Sequence, residues 1–342
     1  MLRVLIASIA GILVISAGAW AAPMEGAADT DDQQMTRVVE SNNLFALQLY
    51  QRLSQNRRDI CFSPCSIYEA LAMLEGGAQG MTAGQIARAL QMDQPAGMHE
   101  GLSQAVQGLQ ADARRQGYRV DVRNAVFGQS NAEIGDEYLQ LLETYYGASL
   151  KRLDFLTNAS SAKRQMARWL KDNGAGRLEE IFRPGLIDEY TQFVIINTVR
   201  LQVDPAPMAE TQTPDADQSD EESQESPQPL SLVLFLTMEP DEPAEQDAGD
   251  PSWREVSQQV PLARGLLSQL DLQAVLEEMK LTEAFSKAAD FTSIASDSGL
   301  HISRVLHGAW LQEKGNGTEA VAATIIVVSL HENVGPVLTF LP

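Results

Sequence analysis

Apolar residues recur every three or four positions in four segments of the chain, and this spacing predicts four amphipathic helices. The apolar stripes are, in chain order, Phe45-Leu49-Leu53, Ile67-Leu71-Leu74, Met166-Trp169-Leu170 and Leu272-Val275-Leu276-Met279. Asn43 could cap the first helix. The second would begin near Pro64 and stop at Gly76. Ser161 would precede the third helix, and Asn173 would end it.

Short runs of β-branched and aromatic residues lie between these helices and predict strands. The runs are Phe193 to Ile196, Leu232 to Leu236 and Thr324 to Val328. Helices and strands follow no strict alternation along the chain. The pattern therefore favours an α+β fold over a doubly wound parallel sheet.

Acidic residues are concentrated in one part of the chain, which carries a formal net charge of −21. The stretch between Arg200 and Arg254 contains 14 Asp or Glu and no Lys or Arg. Its two polar arms, residues 204–229 and 239–252, cannot bury enough surface to offset ordering entropy, so we predict disordered loops there. The acidity also excludes nucleic acid as a partner, because binding its phosphates requires a basic surface.

The N-terminus has the pattern of an export signal. Arg3 precedes an uncharged apolar stretch, and the small-residue pattern Ala19-Trp20-Ala21 offers a cleavage site. A membrane anchor needs about 20 apolar residues, and this stretch is shorter and contains glycine. We predict a signal peptide over residues 1–21, a polar leader over 22–39 and no membrane association. The protein would be secreted to the extracellular space, or to the periplasm of a bacterium.

Catalytic and metal-binding patterns are weak in this sequence. The four histidines show no metal-ligand spacing, and two cysteines are too few for a four-thiolate zinc site. Cys61 and Cys65 could form a disulfide, but two small buried apolar residues is the interpretation that we favour. Gly315 to Ala320 satisfies G-x-G-x-x-A, yet a β-branched run follows where a dinucleotide site needs a helix. We predict no catalytic residues, cofactor or metal.

The segment from Gly317 to His331 suits two conformations. It contains no proline, so it can be a flexible loop and can also form a central strand with a backbone donor at every residue. On a strand, its small residues would face one side, and Glu319 would face the other side, in solvent. The small-residue face would consist of Thr318, Ala320, Ala322, Thr324 and Ile326.

Residues Glu313 to Thr324 are similar to the proximal hinge of the serpins, protease inhibitors that insert a cleaved reactive-centre loop into a β-sheet. Further blocks resemble this family and follow in the family's order. They are Phe62 to Ile67, Ala70 to Met73, Gly77 to Thr82, Asn124 to Phe127, Leu153 to Phe155, Gly174 to Ile181, Val194 to Asn197, Leu276 to Ile294 and Ile302 to Ala309. The resemblance implies one serpin-like domain over 40–342, with helices around a large mixed β-sheet.

The resemblance also implies roles for individual residues. The loop hinge would consist of Gly317, Thr318, Glu319, Ala320, Val321, Ala322, Ala323 and Thr324. The hydrogen-bonded cluster where the main sheet opens would consist of Ser63, Ser66, Asn197 and His307, residues that are also compatible with ordinary buried polar positions. The family's loop spacing, counted from Gly317, places the scissile bond at His331-Glu332, or at Leu330-His331 if it is shifted by one residue.

Two parts of the family pattern are missing. After Arg200 the chain enters the acidic insert where strands of the smaller sheets should follow, although Leu230 to Pro240 resembles a later core strand. Gly335 to Leu341 resembles the penultimate core strand, and the last strand is absent. We therefore expect reduced smaller sheets.

The function that the resemblance implies is inhibition of a serine protease, or alternatively a cysteine protease, by a secreted monomer. The inhibitor would act through loop cleavage and insertion of the cleaved loop into the main sheet. The alternative is a non-inhibitory or degenerate serpin-like binding protein.

Overall fold

The computed structural model describes residues 4–7, 12–15, 30–55, 61–92, 97–115, 117–203, 232–237, 266–296, 299–314 and 317–331. The α-helices in these ranges are α1 Thr30–Leu53, α2 Pro64–Glu75, α3 Gly80–Ala89, α4 Met98–Arg115, α5 Asp136–Tyr146, α6 Phe155–Asp172 and α7 Gln273–Glu278. Short 3₁₀ helices span Gly176–Ile181 and Glu283–Phe285. The strands are β1 Val4–Ala7, β2 Ile12–Ile15, β3 Cys61–Phe62, β4 Tyr118–Gln129, β5 Leu150–Leu153, β6 Thr191–Val203, β7 Leu232–Thr237, β8 Leu266–Asp271, β9 Leu300–Lys314 and β10 Gly317–Leu330.

The main sheet contains six strands in the order β5-β4-β6-β10-β9-β8. β5 runs parallel to β4, and the other neighbouring pairs are antiparallel, so the sheet is mixed. α2 packs against β6 and β10 on one face, and α6 packs against β6 on the other. This architecture confirms the α+β class and the mixed main sheet that the serpin resemblance implies. The three runs predicted as strands lie in β6, β7 and β10.

A smaller sheet has the strand order β1-β2-β7-β3 among the described residues. β1 and β2 lie inside the predicted signal peptide, residues 1–21, and β2 pairs with β7. Export and cleavage at that position stay predictions. The acidic arms 204–229 and 239–252 lie outside the described residues, on either side of β7. No helix within the described ranges is long and apolar enough to cross a membrane.

α2 has the boundaries that its sequence predicts. The Ser63 side chain accepts a hydrogen bond from the Ser66 backbone amide at the helix start, and Pro64 occupies the first helical position, where no amide donor is needed. Gly76 caps the other end, and the following Gly77 lies so close to the Ile294 side chain that a Cβ atom would overlap with it. Every residue of α2 before its last, Glu75, is buried.

Two other predicted helix starts are wrong. α1 begins at Thr30, so Asn43 lies inside the helix and does not cap it, and residues 30–39 of the predicted polar leader form its first turns. α6 begins at Phe155 rather than after Ser161, because the Asp154 side chain accepts a hydrogen bond from the Thr157 backbone amide. The predicted stripes of α1 and α2 are nevertheless buried.

Cys61 and Cys65 are free and buried, which agrees with the interpretation as two small buried residues and not with a disulfide. Burial raises the pKa of the Cys61 thiol to about 12 and raises the pKa of Cys65 as well. Both thiols are therefore protonated at neutral pH and pack as small apolar side chains.

Candidate functional site

β10, the predicted loop hinge and its continuation, is a central strand of the main sheet. It pairs antiparallel with β6 on one side and with β9 on the other, along nearly its whole length. Gly317 begins the strand with a φ of 148°, a backbone conformation that residues other than glycine rarely adopt. The absence of proline, noted in the sequence, allows hydrogen bonding to both neighbours.

Both faces of β10 are buried from Ala320 to Ser329, which differs from the expected single buried face. One face packs in the core under α2, and the other packs in the core under α6, because a central strand of a covered sheet has no solvent face. Glu319 points away from the small-residue face as expected. Its carboxylate is only 25% exposed, however, and forms an ion pair with Arg200 of β6 at 2.9 Å.

Three of the four predicted sheet-opening residues form one hydrogen-bonded network with Thr324 of β10. The Ser63 backbone amide donates to Nε2 of His307 at 3.0 Å, so the neutral ring carries its proton on Nδ1. Nδ1 lies 2.9 Å from the Thr324 hydroxyl oxygen, which lies 2.8 Å from the Ser66 hydroxyl oxygen. This network joins α2 to β9 through the middle of β10.

Asn197, the fourth predicted residue, belongs to a second network that sequence reasoning missed. Its side-chain amide donates to Glu69 Oε2 at 2.9 Å and to Asn124 Oδ1 at 2.8 Å. The Asn124 amide donates to Glu69 Oε1 at 2.9 Å and to the Tyr146 carbonyl at 3.1 Å. A glutamate among the apolar residues of α2 was the available signal, since such a residue needs buried partners.

The two networks form one row across the sheet. Each residue of the row is the register partner of the next: Asn124 of β4, Asn197 of β6, Thr324 of β10 and His307 of β9. Their side chains meet Ser63, Ser66 and Glu69, which α2 presents from its first turns. α2 is therefore bonded to the strands on both sides of β10.

Burial shifts the pKa values of two titratable groups, Glu69 beside this row and His307 within it, in opposite directions. It raises the pKa of the Glu69 carboxyl to about 7, although hydrogen bonds from Asn124 and Asn197 oppose the shift. It lowers the pKa of His307 to about 3. His307 is thus neutral at physiological pH, in agreement with Nε2 accepting a hydrogen bond.

The predicted scissile bond lies at the far end of β10. Leu330 is the last strand residue, and its amide donates to the Tyr190 carbonyl at 2.9 Å. The His331 ring stacks on His301 with 3.8 Å between ring centroids and 5° between planes, and Glu332 lies outside the described residues. Burial and the neighbouring His331 lower the pKa of His301. No described group of three or more His, Cys, Asp or Glu could hold a metal ion.

Comparisons with known proteins agree with this architecture. The model of the family described as Serpin (serine protease inhibitor) matches residues 40–204 and 252–340. Leukocyte elastase inhibitor A from Mus musculus is 26% identical over 347 residues, which cover 85% of this chain and 89% of the relative.

Solved structures show the same fold. Ovalbumin from emu (Dromaius novaehollandiae) has a TM-score of 0.66 at 17% identity, over 85% of this chain and 90% of its own. Thyroxine-binding globulin, solved in a complex with a thyroxine derivative, has a TM-score of 0.63 at 20% identity, over 85% of this chain and 98% of its own.

The family match omits residues 205–251, which contain most of the acidic insert, as expected for a chain that departs from the family pattern there. The matched segments nevertheless cover well over half of the sequence, and their order agrees with the blocks recognised by resemblance. The chain belongs to the serpin family.

Proposed function

We propose that this protein is a secreted inhibitor of serine proteases that acts by cleavage of the reactive-centre loop and insertion of residues 317–330 into the main sheet. The observation that carries the proposal is the compatibility of this segment with a central strand, paired on both sides and buried on both faces. A relative named leukocyte elastase inhibitor A supports the inhibitory class. Cysteine proteases remain the alternative target class.

The proposed reaction begins as ordinary proteolysis. The protease serine oxygen attacks the carbonyl carbon of His331, the bond to the Glu332 nitrogen breaks, and the new amino group leaves with a proton from the protease base. An ester then joins the protease to His331. Insertion of β10 would carry the ester-linked protease away before water hydrolyses the ester. A bond shifted to Leu330-His331 would give the same chemistry one residue earlier.

Burial of β10 supplies the driving force for insertion. Five of its larger apolar side chains are fully buried or nearly so: Val321, Ile325, Ile326, Val327 and Val328. At about 1.5–3 kcal/mol for each buried side chain, these residues contribute on the order of 10 kcal/mol. Hydrogen bonds to both neighbouring strands and the Arg200–Glu319 pair add to this term.

The proposal is tested by incubating the mature protein with trypsin-, chymotrypsin- and elastase-type proteases. We expect a covalent adduct that survives SDS with at least one of them. Ala322→Glu should be cleaved without adduct, because Ala322 is fully buried in β10 and the new charge would oppose insertion. Ala111→Glu, the same change at an exposed position of α4, should form the adduct like the wild type.

The proposal is wrong if every protease only cleaves near Leu330 and leaves separate fragments with unchanged thermal stability. That result would favour a non-inhibitory binding protein, the second candidate. One observation favours this candidate: β10 already lies in the main sheet of the uncleaved chain.

A further inference from the structure

The distal end of β10, residues 327–330, lies between two β-bulges. On β9 the register shifts after Val327 of β10, which leaves Ser303 as an extra residue. On β6 the register shifts one residue later along β10, which leaves Gln192 as an extra residue. Bulges are frequent where pairing ends or where a side chain is re-aimed, so both neighbouring strands change their geometry at the point where β10 ends.

Hydrogen bonds fix the backbone of this distal end. The hydroxyl of the bulge residue Ser303 donates to the Val327 carbonyl at 3.2 Å and lies 3.0 Å from the Ser329 hydroxyl oxygen. On the other side, the Leu330 backbone amide donates to the Tyr190 carbonyl, just before β6, at 2.9 Å. β10 is therefore held on both sides up to its last residue.

The residue that follows β10, His331, is held by its side chain. Its ring stacks on the His301 ring of β9, with 3.8 Å between centroids and 5° between planes. His301 is the register partner of Ser329, two residues before His331, and aromatic side chains on neighbouring strands reach each other across this diagonal. Burial and the neighbouring ring lower the pKa of His301, so its ring is neutral at physiological pH and the stack contains no pair of positive charges.

We propose that His301 is a positioning residue that receives the ring of His331 on insertion and holds this ester-bearing residue at the distal end of β10. The inference rests on the proposed function, in which the carbonyl carbon of His331 carries the protease. It concerns the trapped protease after insertion, because the stack acts on the residue to which the protease is joined. The lifetime of the covalent adduct then depends on His301.

The chemistry of release explains this dependence. Water attacks the His331 carbonyl carbon, the bond to the protease serine oxygen breaks, that oxygen regains a proton, and a carboxyl group remains on His331. The attack is fast only when the base and the oxyanion-binding amides of the protease are aligned with the ester. Stacking on His301 restricts the rotation of His331, and it thereby limits the orientations in which these groups can meet the ester.

The test measures how fast the adduct releases active protease at neutral pH. His301→Ala removes the stack, and the size of an aromatic stacking interaction makes its release about two- to tenfold faster than that of the wild type. His301→Phe keeps an aromatic ring at the same position and should release at the wild-type rate. Arg304→Ala, exposed on the same strand, is the control and should also release at the wild-type rate.

Two further measurements accompany the release rates. His301→Gln also lacks an aromatic ring, and it takes the place of His301→Ala if that variant does not fold. Thermal melts of the cleaved proteins separate positioning from general stability, because the release rate should follow the presence of the ring and not the melting temperature. Mass spectrometry of the C-terminal fragment should give Glu332 as its first residue.

Three outcomes would overturn the role of His301 and leave the proposed function intact, since each requires that an adduct has formed. They are wild-type release from His301→Ala and His301→Gln, release from His301→Phe as fast as from His301→Ala, and a fragment that begins at His331. In the last case the ester is on Leu330, and His331 leaves with the fragment. Failure to form an adduct with any protease would instead overturn the proposed function, and this inference with it.

Discussion

Replacing Glu69 with glutamine should change how the stability of the protein depends on pH. Glu69 of α2 and His307 of β9 both bond to residues of one row across the main sheet, and burial shifts their pKa values in opposite directions. Each shift makes the free energy of unfolding depend on pH, with opposite sign. The wild-type protein therefore contains two opposing titrations, and removing one should uncover the other.

The sign of each contribution follows from its shift. The pKa of Glu69 rises from 4.5 to about 7, so its contribution is fully present below pH 4.5 and is lost as pH rises through about 7. The loss is about 3 kcal/mol. The pKa of His307 falls from 6.5 to about 3, so its contribution is fully present above pH 6.5 and is lost as pH falls through about 3. That loss is about 5 kcal/mol.

Between pH 4.5 and 6.5 the two slopes cancel, because each is about 1.4 kcal/mol per pH unit. In Glu69→Gln only the His307 term remains, and the free energy of unfolding should rise by about 3 kcal/mol from pH 4.5 to 6.5 relative to the wild type. In His307→Gln only the Glu69 term remains, and stability should fall by a similar amount over the same range.

Urea unfolding at closely spaced pH values measures these differences. Other titrating groups contribute equally to each protein, so subtracting the wild-type curve isolates the substituted residue. Glu137→Gln on the exposed side of α5 is the control and should follow the wild-type curve. The reasoning is refuted if the Glu69→Gln curve is parallel to that of the wild type between pH 4.5 and 7.

Three further substitutions test the contacts of β10 and α2. Thr324→Val removes the bonding partner of the Ser66 hydroxyl and of the His307 ring, and it should lower the unfolding free energy of the cleaved protein by about 1–3 kcal/mol in thermal melts. Thr318→Val, at the partly exposed end of β10, is the control and should change this free energy by less than about 0.5 kcal/mol. Arg200→Met removes a partly exposed ion pair to β10 and should cost about 0.5–1 kcal/mol, a difference that disappears in high salt. Gly77→Ala should cost about 1–3 kcal/mol in urea unfolding, because its Cβ would displace Ile294; an unchanged midpoint would contradict the close approach.

Local signals in the sequence predicted the elements that they control. Ser63, Pro64 and Gly76 determine both ends of α2 through a side-chain cap, a residue without an amide donor and a glycine stop. The apolar stripes likewise predicted the buried faces of the helices. These features depend on neighbouring residues, so they can be read without knowledge of the fold.

Features that depend on distant contacts could not be read in this way. Asn43 and Ser161 both looked like helix caps, yet the backbone was already helical at each position. Glu69 shows the same limit, because its burial follows from the packing of α2 on β6, and its partners lie 55 and 128 residues away. Resemblance supplied Ser63, Ser66, Asn197 and His307, but only the structure joined them to Glu69 and Asn124.

Thr324 fixes the register of β10, a role that follows from the composition of the strand. Between Ala320 and Val328, Thr324 is the single polar residue, and both faces of the strand are buried. A slip of two residues would keep the faces unchanged and would place Ala322 or Ile326 beside the Ser66 hydroxyl and the His307 ring. Each of those two groups would lose its bond at a cost of about 1–3 kcal/mol, and the threonine would enter an apolar environment. The apolar residues therefore drive the pairing of β10, and the single threonine selects the register in which it pairs.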